Sequence, residues 1–346
     1  MYKMSSFLDK CIENKDVPGA VLGIVHNDQL IYQYASGYAH FQKEISMKVN
    51  SIFDLASLTK VCATLPAVLY LLEEGLLDLD DAIYQYLPFF HSKQSNITIK
   101  HLLTHTSGYP ASIPFYKQNK SLKDAIEIIS NLENIQKPGD MVVYSDLNFI
   151  VLGYLVEVVS GLQLDTFSNE KIFKPLEMNN TYFNPPASLR LEIVPTEYNN
   201  YIKDYQWGRV HDENAEHFGG VSGHAGLFST LEDLSIYCRM ILNKGKVNDK
   251  TLFQSSTIDL TRYSYTKKLN LNRGLGWHLN DCNAPSGQFF QEGFGHTGFT
   301  GTSIWFDMDK NLAVILLTNR VHFGRNKNIG RIRRIVHNLV SLNLDI

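Results

Sequence analysis

A chain of 346 residues, 44% of them hydrophobic and 19% charged, can bury a sizeable core, which excludes disorder as the starting assumption. The formal net charge of -3, with the positive residues scattered along the chain, argues against a nucleic-acid binder. The densest basic run, Arg325 to Arg334, lacks any aromatic or motif context for nucleic acid and reads as the solvated face of a terminal helix.

In chain order, a short amphipathic helix is expected over 5–12. Residues 19–26 and 30–36 are β-rich, and Asn27, Asp28 and Gln29 between them predict a hairpin. A long helical pattern starts at Ser57, with Val61, Leu65, Val68, Leu69 and Leu72 on its apolar face and Gly75 at its end. Pro66 lies inside that pattern and should kink or break it. From Leu77 to about Gly220 the pattern is mostly helix and loop. One helix begins at Ser121, with Asp124 as its capping partner, and another follows Asp146 and runs to Gly161. From Phe289 strands return, with 301–307 and 312–319 flanking a turn. A last helix over 326–342 carries Ile329, Ile332, Ile335, Val336, Leu339 and Val340 on one stripe.

This order predicts an α+β fold. Two strand groups far apart in sequence share one antiparallel sheet, flanked by N- and C-terminal helices, and an all-helical lobe is inserted between them. The expected division is 1–76 with 221–346 as the sheet lobe and 77–220 as the helical lobe, with the active site between them. No apolar run reaches the length of a membrane span; the best, Val61 to Leu72, is too short. The N-terminus lacks the apolar core of a signal peptide. Cys11, Cys62, Cys238 and Cys282 form no C-x-x-C pair, which argues against a zinc ribbon and suits a reducing compartment. The expectation is a cytoplasmic chain with no membrane span; nothing in the sequence reports its oligomeric state.

Three short motifs carry chemistry. Ser57-Leu58-Thr59-Lys60 places a hydroxyl and an amine three residues apart, close enough to meet on one helical face. A serine hydroxyl is a poor nucleophile until another group takes its proton, and an amine can do this or can support a different base. Tyr144-Ser145-Asp146 directly precedes a helix. His296-Thr297-Gly298 opens a strand pair, where glycine lets a ligand or another backbone come close. Taken singly, each has a purely structural use: a helix cap, a buried tyrosine before a cap, a small-residue turn.

Taken together and in this order, they resemble the serine β-lactamase and penicillin-binding protein superfamily, above all its class C β-lactamase-like hydrolases. The supporting stretches are Leu102-Leu103-Thr104-His105-Thr106-Ser107-Gly108, Pro138-Gly139, and Gly223-His224-Ala225-Gly226-Leu227-Phe228-Ser229-Thr230. The resemblance runs from about Val17 to Asn319. It implies a serine hydrolase acting on a small molecule or short peptide, with Ser57 as nucleophile, Lys60 against its oxygen and Tyr144 as general base. It also implies an oxyanion site at the backbone N–H groups of Ser57 and Phe299, with His296, Thr297 and Gly298 lining the pocket. The motifs require no cofactor and no metal.

Two departures from the β-lactamase pattern matter. Asp146 stands where class C enzymes carry asparagine, and a carboxylate there favours a charged Lys60. His296 replaces a lysine that would help bind a β-lactam carboxylate, and histidine is mostly neutral at pH 7. Poor β-lactamase activity is therefore expected, with a preference for esters, amides or wall-derived peptides. The alternatives are a weak β-lactamase and a non-hydrolytic receptor for penicillin or peptidoglycan fragments. His211, Asp212, Glu213, His217 and His224 form a ligand-rich stretch, but its spacing matches no zinc motif, and it reads as cleft wall. Tyr109, Tyr116 and Phe299 are candidates for the pocket lining, and His105 is read as part of a turn that holds the helical lobe.

Overall fold

A computed structural model describes residues 2–90, 94–133, 135–281, 284–290 and 292–344; Cys282 lies outside them. Its elements include α1 (Tyr2–Glu13), β1 (Gly19–His26), β2 (Gln29–His40), β3 (Ile45–Ser46), α2 (Leu65–Glu73), α3 (Leu122–Ser130), α4 (Asp146–Ser160), α5 (Glu213–His217) and α6 (Leu231–Leu242). They continue with β4 (His278–Leu279), β5 (Phe294–Thr297), β6 (Ser303–Asp307), β7 (Leu312–Thr318) and α7 (Gly330–Leu344).

The seven strands form one sheet in the order β4-β5-β6-β7-β1-β2-β3, and every pairing is antiparallel. The distant strand groups therefore meet at β1 and β7, as expected, with Leu22 opposite Leu316. The β1–β2 turn is tighter than expected. Asn27 and Asp28 both take positive φ, the geometry of a two-residue hairpin turn, and Gln29 already belongs to β2.

Both faces of the sheet are covered, and the period of two sorts the side chains. Ala20, Leu22 and Ile24, with Leu312, Val314 and Leu316, bury against Met4 and Leu8 of α1 and Val336 and Val340 of α7. Val21 and Val25, with Ala313, Ile315 and Leu317, join the larger cluster that also holds Leu58, Leu152, Leu231 and Trp277. Burial on both sides explains why β1 and β7 read as nearly continuous apolar runs. On this second face α6 comes close enough that a Cβ on Gly23 would lie 2.1 Å from Leu231 Cδ1.

The chain from Ala56 to Glu73 is one helical path in three windings: a 3₁₀ turn over Ala56–Leu58, a π turn over Lys60–Thr64, then α2. Pro66 explains the break. It has no N–H for a regular bond and sits in the first turn of α2, where none is needed. Just before it, the Leu65 N–H reaches back five residues to Lys60 O. This path is longer than the apolar run seen in the sequence and has the length and hydropathy of a membrane span, but 78% of it is buried inside the fold, as expected for a core helix.

α6 is absent from the sequence-based expectation, although Thr230 caps it by accepting from Asp233 N–H. α7 begins at Gly330, not 326, so Arg325 and Lys327 precede the helix. The basic run is not one solvated helix face: Arg325, Lys327 and Arg333 border the central cavity, and desolvation presses the Arg333 guanidinium below its usual range, followed by the charge of Arg320.

Candidate active site

Ser57 stands just after a short extended segment that pairs with Leu227–Ser229. Ala56 before it holds φ of 47°, a left-handed conformation that alanine rarely adopts. The buried Asp54 pins it there: one carboxylate oxygen accepts from Ala56 N–H at 2.8 Å and the other from His211 N–H at 2.6 Å. Backbone strain of this kind persists only where the surroundings impose it, and here it sets the direction of Ser57. No signal in the sequence marks Asp54 for this task.

Lys60 follows on the same face and is fully buried. Its ammonium donates to Ser57 Oγ at 3.1 Å, to Asp146 Oδ1 at 2.7 Å and to the His224 carbonyl at 3.0 Å. The Lys60 Nζ also lies 5.1 Å from the centre of the Tyr144 ring. Burial lowers its proton affinity, but the charge of Asp146, with the hydrogen bonds to Asp146 and Tyr144, outweighs burial and holds the amine above the ordinary lysine range.

Tyr144 and Asp146 are placed by the start of α4. Ser145 is the N-cap, accepting from Leu147 N–H and donating to Pro110 O at 2.6 Å. The Ser145 N–H donates to Nδ1 of His105 at 3.1 Å, and that ring packs 4.7 Å from Tyr144. Burial first, and then the charges of Arg273 and Lys60, keep His105 neutral by pushing its pKa well down. His105 is thus a fixed acceptor that supports the Tyr144 segment.

The His296-Thr297-Gly298 motif ends β5. Beyond it, Thr300 Oγ1 donates to Asp54 O at 2.7 Å and Thr302 Oγ1 to Leu55 O at 3.0 Å, so this turn is tied to the backbone just ahead of Ser57. A Cβ on Gly298 would lie 2.4 Å from Leu55 O, so only glycine fits. Arg333 donates to Gly298 O and Thr302 O from the other side.

These elements enclose a cavity of about 510 Å³ whose lining includes Ser57, Tyr144, Arg273, His296, Thr297, Gly298 and Phe299. Burial, and then Lys60 and Arg273, push His296 well below the ordinary histidine range, so it is neutral. The sequence reading missed Arg273. It is 6% exposed, its guanidinium lies 5.5 Å from the Tyr144 ring centre, and its Nε has no partner. No carboxylate of the described residues comes within ion-pair distance of it, so the cavity keeps a cation although the motif has lost its lysine.

Other expectations separate. Phe299 lines the cavity, Tyr116 lines a second cleft beside it, and Tyr109 lines neither: it is buried and donates to Gln94 Oε1. The ligand-rich stretch does not act as one group. His211 Nε2 pairs with Glu197 at 3.0 Å, and His217 lines the second cleft. Asp212 and His224 instead approach Asp146, all three offering polar atoms within 4.8 Å of one another. Their nearest cation is the Lys60 ammonium, 2.7 Å from Asp146.

Comparison with known proteins gives a family and a fold. The family model described as Beta-lactamase matches residues 4–337. A protein of Escherichia coli O157:H7 that carries the provisional name D-alanyl-D-alanine carboxypeptidase is 32% identical over 347 residues, covering 88% of this chain and 79% of its own. The N-acetylmuramyl-L-alanine amidase of Bacillus subtilis (strain 168) is 32% identical over 344 residues, covering 88% and 78%. Among solved structures, a class C beta lactamase from Rhodobacter sphaeroides shares the fold, with a TM-score of 0.78 at 19% identity and 99% of each chain covered.

Proposed function

This chain belongs to the beta-lactamase family and is a serine hydrolase, and we propose that it cleaves an ester or amide bond through an acyl-enzyme on Ser57. The observation that supports this reading is the Lys60 ammonium, which lies within hydrogen-bond distance of Ser57 Oγ, Asp146 and the His224 carbonyl. A protonated amine has no lone pair to accept a proton, so the Ser57 proton leaves toward Tyr144, which lines the same cavity. The Ser57 oxygen forms a bond to the substrate carbonyl carbon, and the carbonyl electron pair moves to oxygen. The backbone N–H groups of Ser57 and Phe299 receive that oxyanion. The intermediate collapses, the bond to the leaving group breaks, and Tyr144 returns the proton to it. Water then repeats the sequence on the acyl-enzyme.

The preferred substrates are short peptides or small esters with an anionic group near the scissile bond, the group that Arg273 is placed to receive. Carboxypeptidase and amidase activities, as named for the two relatives, fit this class. Arg273 also favours a second reading, weak β-lactamase activity, because the cation expected to be missing beside His296 is supplied from another segment. Residence in the cytoplasm belongs to the same proposal, supported by the buried, unpaired Cys11, Cys62 and Cys238; cell fractionation tests it.

The deciding experiment is a panel of p-nitrophenyl esters, D-peptides, muropeptides and nitrocefin, with intact-mass detection of the acyl-enzyme. Turnover by the wild type and its loss in Ser57→Ala is the expected result. A stoichiometric burst without turnover would replace the hydrolase with a receptor, and equal turnover by both proteins would remove Ser57 from the chemistry.

A further inference from the structure

Behind Lys60, on the side away from the cavity, lies a polar chain that the acyl-transfer steps do not use. The His224 ring is 1% exposed and held at both ends. Its Nε2 lies 2.9 Å from Asp212 Oδ1 and its Nδ1 lies 2.8 Å from Ser222 Oγ. Against a carboxylate the Nε2 carries the proton, which leaves Nδ1 to accept from the Ser222 hydroxyl. Asp212 is itself fixed as the N-cap of α5, accepting from Ala215 N–H at 2.9 Å. The backbone carbonyl of His224 is the third acceptor of the Lys60 ammonium.

We infer that His224 and Asp212 are positioning residues for Lys60, the ring fixing the carbonyl that aims the ammonium at Ser57 and the carboxylate giving Lys60 a second negative neighbour besides Asp146. The inference rests on the serine-hydrolase reading of the site. Two observations support it independently of that reading. The first is distance: polar atoms of Asp146, Asp212 and His224 all lie within 4.8 Å of one another, and Asp146 lies 2.7 Å from the ammonium. The second is the hold on the ring at both of its nitrogens. A buried imidazole satisfied at both nitrogens holds its own backbone in place, alongside the Thr64 hydroxyl that donates to Gly223 O at 2.7 Å and the bridge between Ser222 and Ala225. The sense of the electrostatics agrees. Burial raises the Asp212 carboxyl, but its contact with His224, the hydrogen bond from Ala215 N–H and the Lys60 charge together hold it well below the usual carboxylate range.

The titratable groups coupled to Lys60 from the surrounding elements are Tyr144 and Asp146 at the start of α4, Asp212 at α5, His105, and His296 at the end of β5; His224 acts on Asp212. Asp146 and Asp212 are the carboxylates of this set, so removing either lowers the proton affinity of Lys60, whereas removing the His224 ring chiefly loosens its aim.

The test compares Asp212→Asn, His224→Gln and Ser222→Ala with the wild type, reading kcat, KM and the pH dependence of the p-nitrophenyl acetate burst, with thermal unfolding recorded for each. Asp212→Asn should move the alkaline limb of the profile to lower pH, because the ammonium is then held less firmly. His224→Gln should lower kcat on the order of 100-fold, the scale of a misplacement of about 1 Å at a reacting group, with KM little changed. Ser222→Ala keeps the ring and both charges and should lose less than about 10-fold. Should Asp212→Asn fold poorly, His224→Gln and Ser222→Ala still separate a positioning role from a merely structural one by the split between kcat and KM. Wild-type kcat and an unmoved profile in both Asp212→Asn and His224→Gln would overturn the inference. If the wild type itself shows no Ser57-dependent burst, the hydrolase reading fails instead, which is a different result.

Discussion

Two clefts meet at Arg325, and they treat charge in opposite ways. The second cleft is lined by Glu197, Glu213, Glu216, Arg209 and His211, and every one of these charges has a partner. Glu197 accepts from Arg325 at 2.7 Å and pairs with His211 at 3.0 Å; Glu213 pairs with Arg325, and Glu216 with Arg209 at 2.7 Å. The cavity at Ser57 has no carboxylate among its lining residues, yet Arg273, Arg320, Arg325, Lys327 and Arg333 border it. Arg320 is satisfied by the carbonyls of Phe299, Arg325 and Lys327. Arg273 has no ion pair among the described residues, and its Nε has no hydrogen-bond partner. A buried guanidinium without an anion is costly, and natural folds keep one where a ligand completes it. Paired charge in the second cleft does structural work, while unpaired charge in the first is addressed to substrate.

The hardest way to break this contrast is to remove the cation that the first cavity uses internally. Lys60→Met takes away the partner of Ser57 Oγ and Asp146 together, and kcat/KM on any working ester should fall by about 1,000-fold or more. Steady-state kinetics with intact-mass detection of acylation measures it, and a loss below about 10-fold would move the chemistry away from Lys60.

Arg273→Gln sharpens the contrast further. A charge-assisted hydrogen bond contributes about 1.5–3 kcal/mol, so kcat/KM on carboxylate-bearing substrates should drop by about 10- to 100-fold while neutral esters stay within about 3-fold. Removing an uncompensated buried charge should also leave the melting temperature unchanged or raised. Equal losses on charged and neutral substrates would assign Arg273 to the Tyr144 side of the cavity instead.

Asp146→Asn probes the inward pairing through pH. Asp146 raises the Lys60 ammonium above its ordinary value of 10.5, so the stabilisation is complete below that value and is lost as pH climbs through the raised one. Without the carboxylate the loss begins at lower pH. The alkaline limb of the rate profile should shift down with it, with roughly 10-fold lower activity in strongly alkaline buffer. An unchanged profile would uncouple Asp146 from Lys60.

The smallest effect belongs to the second cleft. Glu197→Gln breaks a partly exposed ion pair with Arg325 and should cost about 1 kcal/mol of stability, leaving kcat/KM on neutral esters within about 2-fold. Urea unfolding and ester kinetics read both. A large kinetic loss would extend the active site into that cleft.

Much of this architecture was legible residue by residue. The hairpin, the Ser121 cap, the break at Pro66 and the sheet shared by distant strands follow from local signals: turn residues, a short polar side chain that accepts a backbone N–H, and a ring without a donor. Ser57, Lys60 and the Tyr144–Asp146 step were visible because their partners lie close in sequence or in short fixed motifs. Asp54 and Arg273 were not. Each is an isolated polar residue in an unremarkable context, and its role comes from what long-range folding brings beside it: the strained Ala56 for one, the Tyr144 ring for the other. The Arg325 to Arg334 run was misread for a related reason, since the periodicity of α7 extends no further back than Gly330 and says nothing of the cavity beneath it.

What the sequence by itself determined is therefore the chemistry on offer: a serine and an amine one turn apart, a tyrosine before a capped helix, a glycine where no side chain fits. These are consequences of spacing and local sterics, which act over a few residues. The tertiary structure decided the state in which that chemistry stands. It buried Lys60 with three acceptors, neutralised His105 and His296 by withdrawing them from water, and left Arg273 without an ion pair among the described residues. Each of those outcomes depends on desolvation and on charges that approach through space, and neither is encoded in a run of neighbouring residues.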